Sequence, residues 1–266
     1  MSTVKGQLII VGTGLRTVGH MTTEAIAWIK AADRVYYVVG DPVAEEMIKA
    51  LNPSAESLQT LYSSARKRIN TYNDMVKRLL SSVREGHKTC GVFYGHPGVF
   101  VYPSHEAVSR ARKEGFSAVM LPGVSAEDCL IADLGIDPAT TGCSSYEATD
   151  YLFHRRPTDP ASAMVLWQIG ILGNEGYSPV GVYDTPLMPL LIDKLCQFYD
   201  PRHRVVVYEA AILFGCQPRI SWVPISDLGM VELSAASTLY IPPATSSQPD
   251  GRVYAQIAAM GISIAS

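Results

Sequence analysis

The sequence predicts an α/β fold in two domains built on mostly parallel sheets, and three observations carry that expectation. The chain has 266 residues, a length that supports about two domains and a full core without covalent staples. Continuous apolar, β-branched runs alternate along it with segments of helical period, the pattern of strands buried on both faces. Several of those runs end on glycine turns, which is where α/β folds place ligands.

The first strand is expected over Leu8–Val11, running into the turn Val11-Gly12-Thr13-Gly14-Leu15. A dinucleotide fingerprint would need glycine at position 17, where Thr17 stands, so that reading fails and a tight strand-to-helix turn remains. A helix over Thr22–Ala32, a strand over Arg34–Val39 and a helix over Asp41–Leu51 follow. Ile69–Glu85 reads as a helix because Ile69, Tyr72, Val76, Leu79, Leu80 and Val83 fall on one stripe. The strand Thr89–Tyr94, the helix Ser104–Glu114 and the strand Ser117–Leu121 complete the first unit. Leu121-Pro122-Gly123 marks the change of domain, giving residues 1–121 to the first domain and 122–266 to the second. Ser125 stands where an N-cap belongs, with Asp128 three residues on, and opens a helix to Leu134. Beyond the polar loop Pro157–Pro160, strands are expected at Met164–Ile169, Arg204–Glu209 and Ser237–Ile241. Helices are expected at Pro189–Tyr199 and, closing the chain, Arg252–Ile262.

Composition excludes several classes. At 47% apolar and 18% charged the chain is ordinary globular. A net charge of −3 is a poor match to a nucleic-acid backbone, and the basic run Arg66-Lys67-Arg68 is short and isolated. Five cysteines without a Cys-x-x-Cys pair argue against a disulfide framework and a structural zinc site, and point to the cytoplasm. The six histidines are scattered, so no metal site is expected. The N-terminal stretch is too weakly apolar for a signal peptide, and no run reaches the roughly 18 apolar residues of a membrane span.

Two features carry chemistry. In Tyr94-Gly95-His96-Pro97-Gly98-Val99-Phe100, glycines flank a rigid His-Pro, so backbone can approach a small ligand closely while a phenol and an imidazole are presented to it. Arg68 and Tyr72 stand four apart on one helix face, where a guanidinium can stabilise a phenolate. On its own the loop is as compatible with a rigid connector, and the pair on its own is more often an ordinary helix contact.

Taken together and in order, Gly12-x-Gly14-Leu15, YGHPGVF, PGVSAEDCLIADLGIDP, LWQIG (166–170), VYEA (207–210) and STLYIPPA (237–244) resemble the tetrapyrrole methylase superfamily. More narrowly, they resemble the borosin peptide-backbone N-methyltransferases over about residues 8–244. Tyr-Gly-His-Pro-Gly stands where tetrapyrrole enzymes usually carry Gly-Gly-Asp-Pro, and Arg68-x-x-Thr71-Tyr72 with Tyr62 before it matches the borosin catalytic helix.

The resemblance implies two α/β domains with S-adenosyl-L-methionine in the cleft between them, no metal, and a homodimer. It implies cofactor contacts at Tyr94, His96, Val99, Ser125, Gln168, Ala210, Ser237 and Thr238, and catalytic roles for Tyr62, Arg68, Tyr72 and Tyr94. Fused borosins continue into their own substrate peptide, whereas this sequence stops about twenty residues after Ile241-Pro242-Pro243-Ala244. It therefore resembles the split form, whose substrate is a separate precursor peptide, bound as a heterotetramer of two enzyme and two precursor chains. The expected reaction is α-N-methylation of peptide backbone: Tyr72 as base, Arg68 and Tyr62 on the peptide carbonyl, Tyr94 aligning the methyl donor. The alternatives are a precorrin or uroporphyrinogen C-methyltransferase and an inactive cofactor-sensing protein.

Overall fold

The computed structural model describes residues 6–178 and 181–262. The first five residues of the N-terminal stretch lie outside them. In the first half, β1 (Gln7–Gly12), α1 (Thr17–His20), α2 (Thr23–Ala31), β2 (Arg34–Val38) and α3 (Pro42–Leu51) come in order. Then come β3 (Ala55–Ser57), α4 (Arg68–Arg84), β4 (Lys88–Phe93), α5 (Tyr102–Lys113) and β5 (Ser117–Met120). The second half holds α6 (Ala126–Leu134), α7 (Pro138–Thr141), β6 (Cys143–Glu147), α8 (Ala148–Phe153) and β7 (Ala163–Trp167). It closes with α9 (Met188–Leu195), β8 (Arg204–Glu209), β9 (Arg219–Pro224), β10 (Thr238–Ile241) and α10 (Gly251–Ala259).

The strands form two five-stranded sheets, ordered β3-β2-β4-β1-β5 and β6-β7-β10-β8-β9. Every pairing in the first is parallel, with Ile9 opposite Cys90 and Val119. Alternate residues of its strands point to opposite faces. Leu8, Ile10 and Val38 pack under Met75, Val76 and Leu79 of α4 and Ala107 and Ala111 of α5. Ile9, Val11 and Tyr37 pack against Ala25, Ile29, Ala44 and Ile48 of α2 and α3. A sheet covered on both faces needs strands without a polar face, which is why these runs read as continuously apolar.

In the second sheet only β6–β7 is parallel. β10 runs antiparallel between β7 and β8, and β9 pairs antiparallel with β8. The sequence expectation of mostly parallel strands thus describes the first sheet, and the second is mixed. Here β8 returns directly as β9, without a crossover helix, and β10 then fills the gap beside β7. Strands β3, β6 and β9 carry no strand signal in the sequence. All three lie at sheet edges, and β9 reads Arg-Ile-Ser-Trp-Val-Pro with alternate residues exposed. Such strands lack the buried apolar run by which the central ones are read.

All five cysteines are free thiols. No helix among the described residues is long and apolar enough to cross a membrane. No group of three or more His, Cys, Asp and Glu side chains among the described residues could hold a metal ion.

Candidate active site

The carboxyl ends of β1 and β4 carry the two glycine-rich loops, and these loops grip each other. Gly14 donates its backbone N–H to the Gly95 carbonyl at 3.2 Å, and Gly95 donates to the Gly14 carbonyl at 3.0 Å. A methyl group on Gly12 would stand 2.2 Å from that Gly95 oxygen and 2.8 Å from Cδ of Pro97. Gly14 has φ +69°, and Gly95 the same value, a region that costs other residues energy. Gly-x-Gly is therefore the surface on which the Tyr94–Gly98 loop is seated. Within that loop Gly98 donates its N–H to Nδ1 of His96 at 2.9 Å, which leaves the ring proton on Nε2. His105 of α5 holds the far end through the Gly98 carbonyl at 2.7 Å.

Two adjoining cavities open around this loop. The first, about 230 Å³, is lined by Tyr62, Arg68, Tyr72 and Tyr94, and also by Tyr177 and Tyr183. The second, about 170 Å³, is lined by Tyr94, His96, Val99, Ser125, Gln168, Ala210 and Thr238. Tyr94, Phe100, Val101, Gln168 and Ala235 belong to both. Phe100 (φ 56°) and Gln168 (φ 62°) are the non-glycine residues with left-handed backbone among those described. Both stand at the junction of the cavities, and local strain of that kind concentrates at functional sites.

Of the sequence-predicted residues, Ser237 alone is held away from either cavity. Fully enclosed, its hydroxyl donates to Oε1 of Glu209 at 2.5 Å and accepts from the Ser234 N–H at 2.8 Å. A buried hydroxyl has to be paired, and Ser237 braces the loop before β10 against the end of β8. Ser125 lines the second cavity as the N-cap of α6, closing a reciprocal capping box with Asp128.

The helix α4 that carries Arg68 and Tyr72 departs from the spacing-based expectation in one respect. The guanidinium of Arg68 donates through Nη2 to the backbone carbonyl of Asn174, rather than to the phenol of Tyr72. Tyr72 instead meets Tyr62 edge-on, with ring centroids 6.3 Å apart, and Tyr102 on its other side. Burial, reinforced by the neighbouring phenols of Tyr72 and Tyr94, pushes Tyr62 far above the ordinary tyrosine value, with Arg68 pulling weakly the other way. Tyr94 leaves 57% of its surface open to the cleft. Desolvation by the surrounding protein still raises its phenol above the ordinary tyrosine value, with Tyr72 adding to the effect. Burial thus favours the neutral phenol at both positions.

Tyr177 and Tyr183 escaped the sequence reading. Tyr177 falls in a Gly-Asn-Glu-Gly-Tyr-Ser-Pro stretch with no periodicity and Tyr183 four residues beyond it, and only the tertiary fold carries both to the first cavity.

A sequence profile described as Tetrapyrrole (Corrin/Porphyrin) Methylases matches residues 7–213. The chain belongs to this family. The tetrapyrrole methylase fold is also found in solved structures of uroporphyrin-III-C-methyltransferase from Thermus thermophilus (TM-score 0.64, 19% identity, 90% of this chain and 93% of that one). Cobalt precorrin-4 methyltransferase is similar (TM-score 0.60, 16% identity, 89% and 94%). At such identities the likeness shows the fold alone.

Sequence similarity is much higher to two fungal proteins. One, from Coprinopsis marcescibilis, is a methyltransferase/ribosomally synthesized type I borosin cyclic peptide precursor, 46% identical over 90% of this chain and 62% of its own length. The other, from Dendrothele bispora, is a methyltransferase/ribosomally synthesized cyclic peptide dendrothelin A precursor, 44% identical over 91% and 58%. The chain thus spans about three-fifths of the length of these relatives.

Proposed function

We propose that this tetrapyrrole methylase family member is an S-adenosyl-L-methionine-dependent methyltransferase that α-N-methylates backbone amides of a ribosomal precursor peptide supplied as a separate chain. The observation that carries this reading is the pair of cavities joined at Tyr94, one suited to a sulfonium cofactor and the other to an amide. The names of the similar fungal proteins, which couple a methyltransferase to a ribosomal peptide precursor, point to the same substrate class.

The second cavity suits a cationic cofactor in its chemistry. Among the described residues no Lys, Arg, Asp or Glu lines it, while Tyr94, Phe100, Trp167 and Tyr208 give it aromatic walls. Aromatic faces attract a desolvated cation without competing ion pairs. His96, Ser125, Gln168 and Thr238 would supply its polar contacts, with Val99 and Ala210 packing against the cofactor. S-adenosyl-L-methionine, when bound, supplies an electrophilic methyl group on positively charged sulfur.

The first cavity answers the chemical problem of the substrate. An amide nitrogen is a poor nucleophile because its lone pair is delocalised into the carbonyl. Tyr72 is the proposed base, taking the amide proton at its phenolic oxygen. Tyr62, kept protonated by burial, donates to the peptide oxygen, and the N–H groups of Arg68 not engaged by Asn174 stabilise negative charge developing there. Tyr94, on the wall common to both cavities, holds the two partners in line. The proposed assembly is a two-fold dimer with two precursor chains.

The test is intact-mass spectrometry of the purified protein with S-adenosyl-L-methionine, with and without an added precursor peptide. Methylation of the peptide, located on backbone nitrogens by fragmentation, is the expected result. Methyl groups on side chains, or transfer to uroporphyrinogen in place of peptide, would overturn the reading.

A further inference from the structure

The N-terminus of α4 has no side-chain cap of its own: Lys67 occupies the cap position and offers no hydrogen-bonding oxygen. Its contacts come from far along the chain. The backbone N–H of Arg68 donates to the carbonyl of Glu175 at 3.1 Å, supplying an acceptor for one of the orphan donors of the first turn. The neighbouring Asn174 carbonyl takes the Arg68 guanidinium, and Lys67 pairs with the Glu175 carboxylate at 2.5 Å. Two residues on, the ring of Tyr177 stacks on Tyr62 with centroids 4.6 Å apart and planes 25° apart.

The segment that makes these contacts is itself anchored. It leaves β7 through the left-handed Gln168, and Gly173 (φ +72°) donates its N–H to the Thr149 hydroxyl at 3.1 Å. The Asn174 side chain accepts the Gly176 N–H at 2.8 Å, closing a local turn that aims the Asn174 and Glu175 carbonyls together. A piece of the second half of the molecule thus fixes two side chains of the first.

We propose that Asn174–Tyr177 is a positioning strap for the reaction, and that Tyr177 is its decisive side chain, holding Tyr62 and the first turn of α4 so that Tyr62 and Arg68 converge on one oxygen. This rests on the peptide-methylation reading above. The carbonyl of Asn174 fixes the plane of the guanidinium, and a planar fork addresses an oxygen only when its plane is fixed. Tyr177 also lines the same cavity as Tyr62 and Arg68, so its ring limits the space beside the peptide.

Tyr177→Ala removes the stack from a half-buried site. It should lower kcat for peptide by about 10–100-fold, the scale of a misplacement near one ångström. Affinity for S-adenosylhomocysteine should stay within about twofold, because Tyr177 is not part of the second cavity. Tyr177→Phe keeps the ring and should restore most of the rate. Amide hydrogen exchange should quicken over residues 66–72 in Tyr177→Ala and remain unchanged in α5. Wild-type kcat in Tyr177→Ala, or a phenylalanine variant as impaired as alanine, would overturn the positioning role. If the wild-type protein methylates no peptide, the substrate reading fails instead, and hydrogen exchange then decides the strap by itself: unchanged exchange at 66–72 refutes it.

Discussion

The two cavities are built by different means. The second cavity, the proposed cofactor side, is shaped by backbone: glycine loops at the ends of β1 and β4, held together by two main-chain hydrogen bonds, and the capped start of α6. The first cavity, the proposed catalytic side, is shaped by side chains: an arginine and five tyrosines from segments as far apart as Tyr62 and Tyr183. Backbone surfaces of this kind need contiguous glycine and proline motifs. Side-chain constellations need only that the fold bring distant residues together. The first kind tolerates change in its lining residues but little change in its glycines; the second reverses that.

The largest expected effect falls on the side-chain half. Tyr72→Phe keeps the ring between Tyr62 and Tyr102 and removes one oxygen. If Tyr72 is the base, the rate should drop by about 10²–10⁴-fold, the usual worth of a positioned base, or roughly 3–5 kcal/mol of barrier. Calorimetry with S-adenosylhomocysteine should detect little change, since Tyr72 does not line the second cavity. The deficit should narrow at alkaline pH, where hydroxide partly substitutes. A wild-type rate in single turnover would return Tyr72 to an ordinary packing role on α4.

The backbone half should break in the opposite pattern. Gly12→Ala puts a methyl carbon 2.2 Å from the Gly95 carbonyl, so the Tyr94–Gly98 loop must shift. Overpacking of this kind costs about 1–3 kcal/mol. Because the shifted loop carries proposed cofactor contacts, affinity for S-adenosylhomocysteine should fall about tenfold or more. Gly229→Ala is the control: its methyl would meet only Ile192 Cδ1 at 3.9 Å, an ordinary contact, and binding should be unchanged. Equal affinities in Gly12→Ala and the control would show that the loop is not part of the binding surface.

The same contrast explains how much could be read in advance. The central strands β1, β4, β7 and β8 announced themselves because both faces of each sheet are covered. The turn at Gly12 and the loop at His96 announced themselves because their chemistry is contiguous. Tyr177 gave no signal: nothing in Gly-Tyr-Ser-Pro distinguishes a loop residue facing solvent from one stacked on Tyr62. The arginine–phenol pairing was drawn from helical spacing alone, which puts Arg68 and Tyr72 on one face. Spacing says nothing of Asn174, whose carbonyl competes for the guanidinium. Ser237 was similarly carried over with its neighbour Thr238, yet strand alternation sends successive side chains to opposite faces. Thr238 reaches the second cavity, and Ser237 turns inward to Glu209.

The smallest expected effect sharpens the comparison through pH. Burial raises Tyr62 above the ordinary tyrosine value, so its hydroxyl stays protonated in the folded protein where the unfolded chain would lose the proton, near pH 10. A group with a raised folded value contributes stability that is complete below the unfolded value and is lost as pH rises beyond it. Above about pH 10 the unfolded state binds fewer protons, and stability falls by roughly 1 kcal/mol per pH unit for each such tyrosine. Tyr208, beside the cofactor cavity, is raised too, chiefly by burial and then by its hydrogen bond to Asp133 at 2.7 Å. Both should contribute to alkaline unfolding, but their removal should differ. Tyr62→Phe deletes a hydroxyl from an aromatic cluster and should simply flatten the alkaline limb by about one proton. Tyr208→Phe also removes a hydrogen bond to the exposed Asp133 carboxylate, so it should lower stability at neutral pH by about 0.5–1.5 kcal/mol while flattening the limb equally. Urea midpoints measured from pH 7 to pH 11 distinguish the two. An alkaline limb in Tyr62→Phe as steep as in the wild type would mean that burial does not hold Tyr62 above the ordinary tyrosine value.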